Sequence, residues 1–380
     1  MKVVCERGSL LDALSLATGV VASRTPRPQL TCVHLDASEG ELALAATAAE
    51  VALRVRLGRV EVADAGQTLV PAQKLNQIVS AEDNEPTLTL EAAGDTFHVR
   101  GADAHFRLNT YPATDFPAAP DFRAAEKDAK CVFTTTAGDL QHLISRTLFA
   151  AARENSRYAI NGVLLNRTGK SLDMVATDGR RLARCGATLA NADGNDASCI
   201  LPAKALNLIG KLAGDPEEPV SVAIGEAQAF VSFGDDPAEA RAVLSTTLVE
   251  GSFPPYEDVI PKDHDIKVTF DRDVLASAVR RAALLTNEES RGVRMAFETA
   301  DKKLSLSSRA PEMGEANVSV ELVEYNGEDI EIGFNPAFIT DALKVIHDPQ
   351  VNLELKAPNK PGLFRSGTDF LYVVMPVNLQ

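Results

Sequence analysis

The alternation of apolar and polar residues repeats three times along the chain, at intervals of about 130 residues. Each copy begins with a short strand pattern that continues into a helix pattern, in which apolar residues recur at i, i+3 and i+4. The three versions are residues 3–7 followed by Leu10, Leu11 and Leu14, residues 132–135 followed by Leu140, Leu143 and Ile144, and residues 266–270 followed by Leu275 and Val279. A period of this length predicts consecutive domains rather than a solenoid, whose repeats are shorter.

A strand, a proline and a second helix follow later in each copy. The prolines are Pro71, Pro202 and Pro336. Proline suits the first turn of a helix because its missing N–H would have no intrahelical partner there. After Pro202, the apolar residues Leu206, Ile209 and Leu212 have the spacing of one buried helix face.

Short apolar runs separated by turn residues lie between and after the two helices of each copy. Residues 161–165 and 172–177, for example, flank Thr168-Gly169-Lys170, which is typical of a hairpin. Two helices on one face of an antiparallel sheet make an α+β domain. Proline-rich stretches end the first two copies and predict three similar domains, at residues 1–126, 127–260 and 261–380.

Composition agrees with three globular cores and predicts the compartment. Hydrophobic residues make up 45% of the 380 residues. The five cysteines are scattered and never form a C-x-x-C pair, which is typical of a reduced cytoplasmic protein without disulfides or a zinc site. We see neither a signal-peptide pattern nor an apolar run that could cross a bilayer, and we therefore expect a cytoplasmic protein without a membrane partner.

The net charge of −15 argues, taken as an average, against a nucleic-acid partner. The charges are unevenly distributed, however, since acidic clusters such as residues 82–85 and 215–218 fall in turn-like segments. The predicted helices carry or adjoin the basic residues Arg146, Arg153, Arg157, Lys204, Lys211, Arg272, Arg280 and Arg281. Either these helices are ordinary solvated surface, or they form one basic face on an acidic protein.

Five motifs in order give the chain its resemblance to a known family. They are residues 157–162, residues 176–182, residues 253–256, Asn287-Glu288 with residues 291–294, and residues 372–376 near the end. With these motifs inside a three-fold repeat, the chain resembles the bacterial DNA polymerase III β subunits, the β sliding clamps. The resemblance covers the whole chain.

The resemblance implies a ring in which two three-domain chains join head to tail and two helices per domain line the hole. Twelve helices spaced by about 9 Å give a circle roughly 35 Å across, which leaves a hole of about 25 Å for duplex DNA. Double-stranded DNA, held without sequence preference, is therefore the expected partner. The DNA-contacting residues implied by position are Arg24, Arg153, Arg157, Tyr158 and Lys204. Taken singly, Arg24 and Arg157 could also be plain solvated surface.

The resemblance also implies a pocket that binds short peptides of the polymerase III catalytic subunit, the clamp loader and other proteins with clamp-binding motifs. The matching residues are Ile160, Thr177, Gly179, Arg181, Leu182, Pro254, Val259, Asn335, Phe338, Val373, Val374, Met375, Pro376, Val377 and Leu379. Without the resemblance, Ile160, Leu182 and Val374 would be assigned to the core. Arg180, Asp258, Ser290 and the ending Asn378-Leu379-Gln380 depart from the family pattern, so we expect the usual apolar anchors with altered polar selectivity.

Ring closure implies a homodimer with one apolar surface near each end of the chain. The positions that match are Lys74, Phe106, Leu108, Leu284 and Leu285. Phe106 and Leu108 alternate along a strand and therefore share a face. The alternative is that both fill the core of their own domain.

Two other classes of function are alternatives to a clamp. Against an enzyme, the six histidines are dispersed, and no metal-ligand spacing, nucleophile elbow or nucleotide-binding loop occurs, so we expect no catalytic residue, metal or cofactor. A divergent clamp paralogue that binds peptides without encircling DNA is the second alternative. The basic helices and the Leu284-Leu285 pair argue against it.

Overall fold

The computed structural model describes residues 1–22, 24–38, 40–153, 158–191, 194–286 and 292–378. The chain divides into two compact units. The first contains residues 1–141, 189–197 and 204–248, and the second contains residues 142–188, 198–203 and 249–380.

Seven α-helices occur in the described part of the chain. They are α1 (Arg7–Val20), α2 (Ala72–Ala81), α3 (Phe122–Lys127), α4 (Ala137–Thr147), α5 (Ala203–Leu212), α6 (Arg272–Ala282) and α7 (Pro336–Val345). The expectation for the prolines is confirmed in α7, where Pro336 is the first helical residue after the capping side chain of Asn335. It is wrong for Pro71 and Pro202, which end the preceding strands, so that α2 and α5 begin one residue later.

The strands alternate with these helices in each copy of the repeat. They are β1 (Lys2–Glu6), β2 (Cys32–Ser38), β3 (Glu41–Thr47), β4 (Val51–Leu57), β5 (Glu61–Asp64), β6 (Gly66–Pro71), β7 (Thr87–Ala93), β8 (Thr96–Arg100), β9 (His105–Asn109), β10 (Cys131–Thr136), β11 (Gly162–Thr168), β12 (Ser171–Thr177), β13 (Arg181–Thr188), β14 (Ala197–Pro202), β15 (Pro219–Ile224), β16 (Gln228–Phe233), β17 (Ala242–Thr247), β18 (Ile266–Asp271), β19 (Val293–Glu298), β20 (Lys303–Ala310), β21 (Gly314–Glu321), β22 (Glu324–Asn326), β23 (Ile330–Phe334), β24 (Gln350–Leu355), β25 (Gly362–Ser366) and β26 (Phe370–Val374).

Four sheets contain these strands. The first unit has a five-stranded sheet in the order β5-β1-β7-β8-β9 and an eight-stranded sheet in the order β10-β15-β16-β17-β4-β3-β2-β6. The second unit has a nine-stranded sheet in the order β14-β11-β12-β13-β26-β25-β24-β18-β22 and a four-stranded sheet in the order β21-β20-β19-β23. The strand pairs are antiparallel, as in the expected α+β class.

The two large sheets each join strands from different copies of the repeat. In the first unit β17 pairs with β4, with Leu244 opposite Leu53. In the second unit β13 pairs with β26, with Leu182 opposite Val373. Each unit therefore combines one terminal copy with part of the middle copy. The domain boundaries near residues 127 and 261 stay predictions.

Local patterns from the sequence agree with the structure in the middle copy. β11 and β12 form the expected hairpin, with Thr168 opposite Ser171 and Gly169 at a φ of 56° in the turn. Leu206, Ile209 and Leu212 lie on the buried face of α5. Elsewhere α1 packs against α2, β3 and β4, and α6 packs against α7, β20 and β21. The helices thus bury their apolar faces on the sheets of their own copies.

In the described residues, the structure has no helix that combines the length and apolar character needed to cross a membrane.

Candidate peptide-binding pocket, DNA contacts and dimer surfaces

The C-terminal segment brings the predicted pocket residues of the second unit together. β26 pairs with β13 so that Arg181 lies opposite Val374. Past the end of β26, the Met375 N–H donates to the Arg180 carbonyl at 2.9 Å, and the Val377 N–H donates to the Gly333 carbonyl at 2.9 Å. The segment therefore runs from the start of β13 to the end of β23, where α7 begins.

The turn between β12 and β13 is held by its own side chains. The Thr177 hydroxyl donates to the Arg181 carbonyl at 2.7 Å and accepts from the Gly179 N–H at 3.1 Å. Asp178 Oδ1 accepts from the Arg180 and Arg181 N–H groups. Gly179 has a φ of 84°, and no neighbour lies within 4 Å of the position of a Cβ. The turn thus needs glycine for its backbone conformation and leaves open space above it.

Arg181 joins this turn to α7 and to the segment after α4. Its guanidinium donates to Asp178 Oδ2 at 3.0 Å, to Asp341 Oδ2 at 2.9 Å and to the Phe149 carbonyl at 3.0 Å. It also lies 4.5 Å from the ring centre of Phe338. Burial alone lowers the pKa of Arg181, but the hydrogen bond to Asp341 and the charge of Asp178 contribute to a net increase. The Arg181 side chain is therefore held in place and charged, and it forms part of the wall of the predicted pocket.

Exposure divides the predicted pocket residues into a floor and a rim. Five of them are buried, namely Ile160, Thr177, Leu182, Val373 and Val374. Leu182 and Val373 belong to one core cluster, against which the partly buried Phe253 and Tyr256 pack. The exposed residues are Gly179, Val259 and Met375, and the half-buried ones include Pro254, Phe338, Pro376 and Val377. Leu379 lies outside the described residues.

Asn335 lies at the start of α7 and lines a separate concavity. Its side-chain oxygen caps the helix by accepting from the Ala337 N–H at 3.0 Å. With Arg280 of α6 and Asp341 of α7, it lines a cavity of about 550 Å³. Asn335 thus serves a structural role as a cap beside the C-terminal segment, and Asp341 faces both this cavity and Arg181.

Phe149, Asp341 and Tyr372 hold the wall of the pocket but were not predicted from the sequence. The Tyr372 hydroxyl donates to the Phe338 carbonyl at 2.9 Å, and burial raises the pKa of this phenol. The ring of Tyr372 lies 5.7 Å from that of Phe149. No local signal in the sequence marks these partners, because they come from three distant segments. Only Asp178, three residues before Arg181, could have been found by spacing.

The predicted DNA-contacting residues divide between the units. Arg24 and Lys204 belong to the first unit, and Arg153 and Tyr158 belong to the second. All four are exposed, including half of the Tyr158 surface at 50%. The Lys204 ammonium donates to the Val20 carbonyl, the last of α1, at 2.9 Å. A cation suits this position because it meets the negative end of the helix dipole. Arg157 lies outside the described residues.

Arg146 does not belong to an exposed basic face, contrary to the expectation for the helices. Its side chain is only 7% exposed, and Nη1 donates to Asp369 Oδ2 at 3.3 Å. The guanidinium also lies over the ring of Phe370, 5.5 Å from its centre. The β25–β26 turn therefore covers this residue, whereas helix periodicity reports only which side of α4 it occupies.

The predicted dimer residues lie on or near the edges of sheets. β9 is an end strand of the five-stranded sheet, and its Phe106 and Leu108 are half-buried on one face. Lys74 is exposed on α2, where its ammonium donates to Gln77. In the second unit, Leu284 is 75% exposed, while Leu285 is half-buried. Leu285 reaches to 4.0 Å of the Cβ position of Gly314, at the start of end strand β21.

One group of potential metal ligands was not apparent from sequence spacing. His142, Cys185 and Asp369 come from α4, β13 and the β25–β26 turn, and their ligating atoms lie within 4.8 Å of one another. Burial, with the nearby Asp369 carboxylate, raises the pKa of the Cys185 thiol to about 12. All five cysteines are buried.

Comparison with known proteins covers the chain from end to end. Sequence models of the DNA polymerase III beta subunit match in order: the N-terminal domain at residues 1–120, the central domain at 135–255 and the C-terminal domain at 257–378. The chain belongs to the DNA polymerase III beta subunit family. The beta sliding clamps of Pseudomonas putida and Vibrio cholerae are 34% and 33% identical to it, with 100% of each chain covered.

Solved structures of this family share the fold. A sliding clamp from Pseudomonas aeruginosa, crystallised with griselimycin, is 33% identical, with a TM-score of 0.89 and 100% of both chains covered. A DNA polymerase III beta subunit from Thermotoga maritima has a TM-score of 0.87 at 24% identity, again over 100% of both chains. The protein therefore has the three-domain α+β fold of the sliding clamps, as expected from its sequence.

Proposed function

We propose that the protein is a DNA sliding clamp, a ring-shaped homodimer that encircles duplex DNA and tethers the replicative polymerase to it. The observation that carries this proposal is the match of all three beta subunit domains, in order, along the whole chain. Relatives named beta sliding clamp match over their full length. The alternative of a peptide-binding scaffold that does not encircle DNA is not favoured by these relatives.

A ring retains DNA by topology, so its contacts with DNA need not be tight. Arg24, Arg153, Arg157, Tyr158 and Lys204 are the proposed DNA-contacting residues. The exposed side chains of Arg24 and Arg153 suit weak, exchanging contacts with phosphates. Such contacts carry no sequence preference and weaken with salt. The net charge of −15 would disfavour DNA elsewhere on the surface.

The pocket of the second unit is the proposed docking site for the polymerase III catalytic subunit, the clamp loader and other proteins with clamp-binding motifs. Its apolar floor at Leu182 and Val373, with exposed Met375 and Val259 at the rim, suits an extended peptide with apolar anchors. Met375 can repack around different anchors because its side chain is unbranched and flexible. The protein itself would be a non-catalytic accessory subunit in the cytoplasm.

Ring closure is proposed to join the β9 end of one chain to the β21 end of another. Both are end strands, which have backbone N–H and C=O groups available for pairing. Phe106 and Leu108 on β9 and Leu284 beside β21 supply apolar surface. Burying a side chain as exposed as Leu284 contributes about 1.5–3 kcal/mol.

Retention on DNA tests the proposal. The protein is loaded by a clamp loader onto nicked circular plasmid, washed at high salt, and measured before and after the plasmid is linearised. Retention on the circle and loss from the linear form is the expected result. A Leu284→Glu/Leu285→Glu double variant is the matched control, since an open ring should be lost from both forms.

Two other outcomes would overturn the proposal. Equal loss from circular and linear DNA, with loader activity verified on a characterised clamp, would favour the scaffold. Equal retention on both forms would indicate direct, tight binding to DNA, which is incompatible with sliding.

A further inference from the structure

Three side chains with metal-binding atoms converge where the middle and C-terminal copies meet within the second unit. His142 Nε2 lies 2.6 Å from Asp369 Oδ2, and Cys185 Sγ lies 3.9 Å from the same oxygen. His142 is on α4, Cys185 is on β13, and Asp369 is in the turn before β26. The three residues are therefore far apart in sequence and are assembled by the fold.

The backbone holds these residues in place independently of their side chains. Cys185 lies opposite Phe370 in the β13–β26 ladder. The Gly186 N–H donates to the Asp369 carbonyl at 2.9 Å. Strand pairing thus fixes the distance between the thiol and the carboxylate, and α4 brings the imidazole to them. A site that is positioned by rigid elements can bind an ion with little rearrangement.

The donor set of one nitrogen, one sulfur and one oxygen selects the class of metal. Mg²⁺ and Ca²⁺ prefer oxygen ligands, whereas thiolate and imidazole suit Zn²⁺. With metal–ligand bonds of about 2.0–2.3 Å, ligand atoms of a tetrahedral zinc site lie roughly 3.3–3.8 Å apart. The present separations, from 2.6 Å to within 4.8 Å, bracket this range. Small side-chain rotations would therefore complete the geometry.

Arg146 is the neighbouring charge, and it shares the Asp369 carboxylate. Its Nη1 donates to Oδ2 at 3.3 Å, and its ring contact with Phe370 holds it beside the cluster. A carboxylate has several lone pairs, so it can accept a hydrogen bond from an arginine and bind a metal ion at the same time. The negative charges of the thiolate and the carboxylate together balance the charge of Zn²⁺. The guanidinium of Arg146 then remains as one excess positive charge, which limits the affinity of the site for Zn²⁺.

We propose that His142, Cys185 and Asp369 bind a Zn²⁺ ion, with a water molecule as the fourth ligand. The side chains of His142 and Asp369 are partly exposed, which gives the ion and the water a path from solvent. On binding, the Cys185 thiol releases its proton to the buffer and forms the sulfur–zinc bond. The imidazole binds through Nε2 and carries its proton on Nδ1. The site would form whether or not the chain encircles DNA.

Co²⁺ and Zn²⁺ titrations of the tag-free full chain, stripped with a chelator, test this site. Co²⁺ should give a thiolate-to-metal charge-transfer band, saturating at one ion per chain and displaced by Zn²⁺. Cys185→Ser should abolish the band, and His142→Gln should weaken binding about tenfold or more. Cys5→Ser, which removes another buried thiol, should bind like the wild type.

The wild-type spectrum decides the matter even if a variant fails to fold. A titration of the wild type without a charge-transfer band would overturn the proposal, because no thiolate would then be bound. So would a folded Cys185→Ser variant that binds Co²⁺ as tightly as the wild type, since the ion would be held elsewhere. As a second measurement, Zn²⁺ should raise the Tm of the wild type and leave that of Cys185→Ser unchanged.

Discussion

Arg181 and Asp341 form an ion pair, at 2.9 Å between Nη1 and Oδ2, that fastens the end of the β12–β13 turn to α7. The two residues are 160 positions apart and belong to different copies of the repeat. The guanidinium is only 11% exposed and also bonds to Asp178, so this part of the pocket is rigid. The wall of the proposed peptide site is therefore built on a tertiary contact.

Replacing Arg181 should lower both the stability of the fold and the affinity of the pocket for a peptide. Arg181→Lys keeps the charge but loses the planar fork that reaches two carboxylates and a carbonyl. We expect a loss of about 2 kcal/mol in the free energy of unfolding, or roughly 4–8 °C in Tm. Binding of a generic clamp-binding peptide, followed by fluorescence anisotropy, should weaken in parallel.

Arg184→Lys is the matched control for Arg181→Lys, since Arg184 lies on the same strand, is 38% exposed and forms an ion pair with Asp173. It should leave peptide affinity unchanged. If Arg181→Lys bound the peptide as tightly as the wild type, the pocket would not depend on this contact. No detectable binding of the peptide to the wild type would reject the pocket itself.

Charged replacements of Leu284 and Leu285, which follow α6, should separate the proposed dimer. Leu284→Glu/Leu285→Glu would place two carboxylates in an apolar interface, where burial of unpaired charge is costly. We expect a folded monomer in sedimentation equilibrium. Val274→Glu, at an exposed apolar position on α6, should remain a dimer. A double variant that still sediments as a dimer would place the interface elsewhere.

Removing the two exposed cations Arg24 and Lys204 of the first unit should affect DNA binding similarly but stability differently. Arg24→Ala should reduce the magnitude of the slope of log K against log salt by about 0.9, where K is the association constant for a short DNA duplex. The Tm should not change. Lys204→Ala should reduce the same slope. It should also lower the free energy of unfolding by about 0.5–1 kcal/mol, because it removes the hydrogen bond to the Val20 carbonyl.

Lys360→Ala, at an exposed turn of the second unit, serves as the control for these two variants and should change neither quantity. An unchanged salt slope for both Arg24→Ala and Lys204→Ala would remove these residues from the DNA-contacting set. Anisotropy titrations over a range of salt concentrations give the slopes, and thermal unfolding gives the Tm.

His34 should make the first unit less stable in mild acid. Burial, only partly opposed by the charge of Asp36, lowers the pKa of this imidazole, which stacks on Phe116 with 5.3 Å between ring centres. The unfolded chain then binds the proton more readily, so stability falls as pH decreases through the unfolded pKa of about 6.5 and levels off below the folded pKa. Thermal unfolding between pH 7.5 and 5 should show a smaller loss of Tm for His34→Gln than for the wild type.

The sequence by itself determined the repeat, the α+β class and the family. The helix after Pro202 and the hairpin around Gly169 follow from patterns within a few residues, because burial of one face of an element leaves a local periodic signal. The buried apolar residues Leu182 and Val374 could also be assigned to the core from the sequence, although only the resemblance connected them with a peptide site.

Tertiary structure alone decided which residues meet. Periodicity assigns Arg146 to one side of α4 but cannot show that Asp369 and Phe370 cover it. Likewise, neither the Lys204 contact with the end of α1 nor the meeting of His142 with Cys185 has a local signal. These contacts depend on strand pairings between copies, as in β13–β26, and such pairings are set by the burial of whole sheets rather than by nearby residues.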